Sequence, residues 1–217
     1  MTISKKVSAP EDPSNGSSGK TSTSKAKIKE VKQKVDIPRL QIAVMTLTLI
    51  GDSPLICHNW SNKSKTMMLD KMMHKATEAR PARDPQQDFK DSLYPHPEGG
   101  YGFPVIGFKA AAVDAASFVD GITKVMLRGA FHINGELVKI QGIPTPREDM
   151  VRVGMGAADI RYRGEFKEWK AKLSIRFNSR VVSAEQITNM FMNAGFAVGV
   201  GEWRPQKDGN HGMFHVE

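Results

Sequence analysis

The sequence predicts an α+β protein with a ferredoxin-like or RRM-like βαββαβ core, two long loop insertions and a disordered N-terminal tail. Three observations lead there: β-rich apolar runs at Leu40 to Ile50 and Trp169 to Asn178, helical stripes with marked starts at Pro104 and Ser183, and the pair Asn134-Gly135 between two further strand-like runs. With the insertions set aside, the order is strand, helix, strand, strand, helix, strand, which is the split βαβ arrangement.

A chain of 217 residues with 40% hydrophobic content can bury one domain and carry a tail. The net charge of +8 and pI of 9.6 point to an anionic partner, nucleic acid ahead of membrane. Cys57 is the single cysteine, so an internal disulfide and a cysteine-rich metal site are excluded, and the usage fits a reducing compartment. The N-terminus lacks the apolar core of a signal peptide, and no run approaches the roughly 18 apolar residues that span a bilayer. The expectation is a cytoplasmic protein, in the host cytoplasm if it is viral, with no cofactor.

Residues 1–36 are rich in Ser, Gly, Thr and Lys and nearly free of large apolar side chains, which predicts a disordered basic tail, with one α+β domain over 37–217. Leu40 to Ile50 is apolar on both alternations, which predicts a strand in mid-sheet with both faces covered. After the turn at Gly51-Asp52-Ser53-Pro54, a helix is expected over Ser61 to Arg80 with Met68, Leu69, Met72, Met73 and Ala76 as core. Pro81 to Gly102 reads as irregular, with one short helix near Gln86 to Leu93. A helix beginning at Phe103 turns Phe108, Ala111, Ala112, Ala115 and Phe118 or Val119 inward. Ile122 to Ile133 and Glu136 to Ile140 read as strands joined by an Asn134-Gly135 hairpin turn. Gly142 to Phe166 again reads as irregular and carries Arg147, Arg152, Arg161 and Arg163. Trp169 to Asn178 then alternates: Trp169, Ala171, Leu173, Ile175 and Phe177 on a core face, with Lys170, Lys172 and Arg176 opposite.

The last element is a helix capped by Ser183 and Gln186 and stopped at Gly195, a loop containing Gly199, Gly201, Gly209 and Gly212, and a closing strand. Glycines admit backbone N–H groups close to an anion, and Arg204, Lys207 and His211 supply cations. The spacing is no P-loop, because the glycines follow a helix and the Lys-Ser/Thr pair is missing. A plain glycine-rich turn is the competing reading.

Three stretches resemble one family. The first strand running into Gly51-Asp-Ser-Pro-Leu, the helix start Phe103-Pro-Val-Ile-Gly-Phe-Lys-Ala-Ala and the terminal glycine-rich loop running into Met213-Phe-His-Val look like the RAMP superfamily, in particular the backbone subunits of CRISPR effector complexes. The chain as a whole also resembles bacteriophage and prophage proteins. The resemblance implies a protein that coats single-stranded nucleic acid, DNA or RNA, as a repeating homo-oligomer or filament, using the sheet, the loop and an insertion that hooks a neighbour.

From the residues, backbone neutralisation falls to Lys109, Lys170, Lys172, Arg176 and Arg204, with Arg161, Arg163 and Lys207 in loops. Tyr94, Tyr101, Tyr162, Trp169 and Trp203 lie near basic residues, and Trp203 and Tyr162 are the better stacking candidates. Asp52 and His58 are weak catalytic candidates, because some RAMP proteins cut RNA with an acid or histidine after the first strand. His211 and His215 make too small a set for zinc, and no metal is expected. The alternatives are a RAMP-type endoribonuclease and a viral protein-interaction or assembly protein.

Overall fold

The computed structural model describes residues 37–60, 62–75, 82–153 and 156–217, so the expected tail lies outside it. The first apolar run forms β1 (Ile42–Gly51). Leu47 and Leu49 are buried and Ala43 and Met45 half-buried, but Ile42 and Val44 on the other alternation are 60% and 68% exposed. The expectation that both faces are covered is therefore overturned. A tight turn leads to β2 (Leu55–Cys57), whose three residues are all buried. Burial pushes the Cys57 thiol up to about 12, so it stays protonated and unreactive.

The helix that follows, α1 (Asn62–Met72), is shorter than expected, and Ala76 falls outside the described residues. Its stripe is not core: Met68, Leu69, Met72 and Met73 are all exposed, Met72 by 76%. The physical reason is that two other helices already occupy the covered face of the sheet. The supposedly irregular segment holds α2 (Pro85–Asp91), capped by the Asp84 carboxylate accepting from the Gln86 and Gln87 amides, then the hairpin β3 (Tyr94–Pro95) and β4 (Tyr101–Pro104). Gly99 and Gly100 turn that hairpin with φ of 85° and 78°, which favours glycine.

Helix α3 (Val105–Ala115) starts just after Pro104 and buries Phe108, Ala111, Ala112 and Ala115 as the periodicity predicts, whereas Phe118 is exposed and Val119 half-buried. The expected strand from Ile122 is mostly a helix, α4 (Lys124–Ala130), because the Thr123 hydroxyl accepts from the Met126 amide at 3.1 Å and caps it. Only β5 (Phe131–Ile133) is extended. Asn134-Gly135 does not turn a hairpin: β5 and β6 (Leu137–Gln141) both pair antiparallel with a later strand and run end to end along it. Asn134 anchors the break, its amides donating to the Ser174 carbonyl and hydroxyl.

The second segment expected to be irregular is a long two-stranded ribbon, β7 (Pro144–Val153) and β8 (Ala157–Phe166), which pairs through β8 with β2. Next, β9 (Lys170–Asn178) alternates as predicted, with Ala171, Leu173, Ile175 and Phe177 buried. Helix α5 (Ala184–Ala197) has the Ser183–Gln186 capping box but runs through Gly195, which packs so close to the Phe214 backbone that a side chain would not fit. The chain closes with β10 (Phe214–Val216).

The result is a mixed α/β fold with five helices and two antiparallel sheets among the described residues. The larger sheet runs β10-β1-β9-β6-β4-β3, with β5 also beside β9, and the smaller runs β2-β8-β7. Inward residues of β1 and β9 join α3 and α5 in one core. At its centre Phe108 meets Phe103, Trp169 and Phe214 at ring-centroid distances of 5.6, 6.4 and 6.1 Å. Burying each such ring contributes about 1.5–3 kcal/mol.

Candidate nucleic-acid interface

The antiparallel register puts paired residues on the same face, and so builds the outer face of the large sheet row by row. Ile50 pairs with Lys170, Thr48 with Lys172, Thr46 with Ser174 and Val44 with Arg176, and His132 flanks Arg176 from β5. Gln141 lies beside Lys170, and Lys139 points outward from β6 because Val138 and Ile140 on either side are buried. Lys139, Lys170, Lys172 and Arg176 are exposed. No outward position on these four strands is Asp or Glu, so the cations have no carboxylate beside them on the sheet. His132 registers the local field: burial first, and then Lys109 and Arg176, push its pKa down.

The other predicted cations are largely committed within the molecule. Lys109 reaches the rim of this face, but donates to the Arg128 carbonyl at 3.1 Å and lies over the Phe131 ring. Arg163 is buried: its Nε donates to His58 Nδ1 at 3.0 Å and its Nη1 to Asp149 at 3.1 Å. Arg147 bonds Asp149 at 2.8 Å and Glu165 at 2.7 Å, closing a network at the root of the ribbon. Burial pushes the Asp149 carboxyl up, but the bonds from Arg147 and Arg163 outweigh it and hold the group below its ordinary range. Arg161 bonds Asp159 at 3.3 Å.

The terminal loop packs on its own backbone. A side chain at Gly201 would strike the Ile56 carbonyl, at Gly209 the Trp203 backbone, and at Gly212 the Val200 backbone. Its amides are spent as well: Val200 donates to Gly212, Glu202 to Ile56, Gln206 to Val198, Gly209 to Arg204, His211 to Trp203 and Gly212 to Pro54. Few are left to cradle a phosphate. Arg204 braces the same loop through the Gly201 carbonyl and Gln206. Trp203, held at φ 54°, and Lys207 are exposed on its outside. Between the loop and α3 lies a cleft of about 210 Å³ with His58, Tyr94, Phe103, Asp114 and Glu202 in its wall.

Asp52 and His58 are not brought together. Asp52 bonds His215 Nδ1 at 2.6 Å, whereas the Nδ1 lone pair of His58 is held by Arg163. Burial and then Arg163 push the His58 pKa down, so the ring is neutral with its proton on Nε2 and has no free lone pair to act as a base. His211 and His215 bond different partners, Arg147 and Asp52. Among the aromatic candidates, Trp169 is buried and donates to the Ser53 carbonyl at 2.9 Å, and Tyr94 donates to the His58 carbonyl. Tyr101 packs edge-on against Phe166, and Tyr162 is half-buried on the ribbon. Sequence reasoning missed His132, Lys139 and the threonines of β1; outward alternation around Val138 and Ile140 was the signal for Lys139.

No protein-family model matches the sequence, and no curated protein does. Among solved structures the fold is similar to Cmr6 from Pyrococcus furiosus, at 10% identity and a TM-score of 0.43, covering 82% of this chain and 100% of that one.

Proposed function

We propose that the protein binds single-stranded nucleic acid, without cutting it, across the outer face of its large sheet, and that it does so as a repeating oligomer. The carrying observation is that Lys139, Lys170, Lys172 and Arg176 are presented together where no outward position of β1, β5, β6 or β9 is Asp or Glu. Cations on an open sheet gain affinity by releasing the counterions of a phosphate backbone, and Thr46, Thr48 and Ser174 offer hydroxyls for further phosphate or sugar contacts. The outward positions of β1, β5, β6 and β9 hold no Phe, Tyr or Trp, so stacking on bases falls to Trp203 and Tyr162 at the margins. Lys207 and Arg161 are auxiliary, while Arg163, Arg204 and Lys109 serve chiefly to hold the structure that presents the face.

Residues 37–217 are read as one domain. The order β10-β1-β9-β6, with β5–β6 as one interrupted strand and α3 and α5 as the crossovers, supports a ferredoxin-like core of the RAMP type. Reversing Lys172 and Arg176 together to Glu tests the site by fluorescence anisotropy with a labelled single strand. Affinity should fall, and the slope of log affinity against log salt should shrink by about 1.4, two phosphate contacts at roughly 0.7 each. Unchanged affinity and slope would remove the sheet from the site.

One observation favours a ribonuclease as the second reading. His215 lies in the same outward row as Ile50 and Lys170, with Asp52 on its Nδ1, which leaves Nε2 free for proton transfer beside a bound strand. Cleavage of labelled RNA by the purified protein that is lost in His215→Ala would establish it; no cleavage by the wild type would leave binding alone.

A further inference from the structure

The strand β1 has one side fully paired and the other mostly open. Its partner β9 runs beside it from Ile42 to Ile50, but β10 covers only Leu49 to Gly51 on the opposite edge. The backbone bonds at each end fix which residues face which edge. The Gly51 amide donates to Trp169 and the Gln41 carbonyl accepts from Ser179, both toward β9. The Thr48 carbonyl accepts from Glu217 and the Asp52 amide donates to Met213, both toward β10. Alternation along an unbroken strand then aims the N–H and C=O of Ile42, Val44 and Thr46 at the open edge, where none has a hydrogen-bond partner among the described residues.

Folded proteins usually blunt such an edge with a charge, a proline or a bulge. Here Ile42 to Leu47 reads Ile-Ala-Val-Met-Thr-Leu, with none of these, and its outward side chains Ile42 and Val44 are exposed. We propose that this edge pairs antiparallel with the same edge of a second copy of the chain, about a twofold axis at Val44. That register sets Val44 against Val44, Ile42 against Thr46 and Ala43 against Met45, with all six outward-aimed groups of each copy satisfied and no charge opposed to a like charge. The half-buried Ala43 and Met45 meet as small against large and extend the core across the junction. An axis normal to the sheet leaves both outer faces on the same side, so Lys172 and Arg176 of the two copies face one direction across the paired β1 strands. The inference rests on the oligomeric part of the proposed function and names one contact in it: a twofold pairing closes at the dimer, so a longer repeat needs a second, different contact.

The test uses the nuclease-treated full chain in sedimentation velocity over a range of protein concentrations, with hydrogen exchange of individual amides. The wild type should dimerise as concentration rises, and the amides of Ile42, Val44 and Thr46 should become protected with it. Val44→Lys places a charge on the axis, and Thr46→Pro deletes an edge N–H in a strand that tolerates proline on its open side. Each should raise the dimer dissociation constant about tenfold or more with the circular dichroism unchanged. A wild type that stays monomeric, or that dimerises while those three amides exchange freely or while both variants dimerise as before, overturns the proposal. Single-strand binding by Ile42→Pro, which deletes an edge N–H and leaves every cation and hydroxyl of the face in place, separates the two ideas at low concentration: retained binding with lost dimerisation is expected, whereas the Lys172/Arg176 reversal should lose binding and keep the dimer.

Discussion

At the scale of single residues, the ribbon root is held by charge and not by apolar packing. Arg163 is buried against Asp149 and His58, and Arg147 shares Asp149 while also bonding Glu165. Removing one member of such a set leaves a buried charge without its partner, at a cost of about 3–5 kcal/mol. Asp149→Leu, which takes from the buried Arg163 its carboxylate at 3.1 Å, should therefore lower unfolding stability by about that amount in urea titration, and a change under ~1 kcal/mol would mean that the network is solvated. The pH dependence follows from the same groups. The folded pKa of His58 is lowered, so its contribution is present above its ordinary value of 6.5 and lost as the pH falls through the folded value. Asp149 is also depressed, and its contribution is present above 3.8 and lost on further acidification. Melting temperature should fall in two steps, the first below neutral pH and absent in His58→Asn, the second at strongly acidic pH; a flat profile down to pH ~4 contradicts the assignment of His58.

At the scale of elements, helical periodicity and burial part company in α1. Met68, Leu69, Met72 and Met73 make a regular stripe, yet all are exposed, while Phe108 of α3 is fully buried among rings. Met68→Gln with Met72→Gln should change stability by no more than about 0.5 kcal/mol, whereas Phe108→Ala should cost about 3–5 kcal/mol. Comparable losses in denaturant titration would show that the methionine stripe is packed in solution. Asn134-Gly135 carries a similar lesson: a local turn signal yields when both flanking strands can pair with β9, since the ladder supplies more hydrogen bonds than the turn. The ribbon β7–β8 was hidden for the opposite reason. Its outer half buries little on either face, so its residues show no apolar alternation, and it is held by cross-strand pairing and the charges at its root.

At the scale of the whole molecule, the two sheets divide the labour. The smaller sheet and the terminal loop are stapled together: the Glu202 amide donates to Ile56, and Arg163 links β8 to His58 just beyond β2. The large sheet is covered on one face and open on the other, and its open face and open edge adjoin at Val44 and Arg176. A strand bound across that face would therefore meet the junction between copies, and assembly and binding should reinforce each other. Dimerisation measured with and without a bound oligonucleotide reads this directly: the dimer constant should tighten when the strand spans both faces, and equal constants would show that face and junction are uncoupled.

The sequence by itself determined the elements whose pattern is local and strong. The alternation of β9, the Ser183–Gln186 capping box of α5 and the inward alanines of α3 all appear where periodicity puts them, because period and capping depend on neighbours a few residues away. It also carried the basic face of β9, since burial of Leu173 and Ile175 forces Lys172 and Arg176 to the other side. Only the tertiary structure decided which cations are free. Lys172 and Arg163 are both basic residues beside apolar ones in the sequence, but one ends on an open sheet and the other among Asp149, His58 and Glu202 from distant parts of the chain. Likewise the glycines of the terminal loop read equally as an anion cradle or a packing loop, and close approach to the backbones of Ile56, Val200 and Trp203 made them the second. Those outcomes depend on which surfaces meet after folding, a long-range property that no short window of sequence contains.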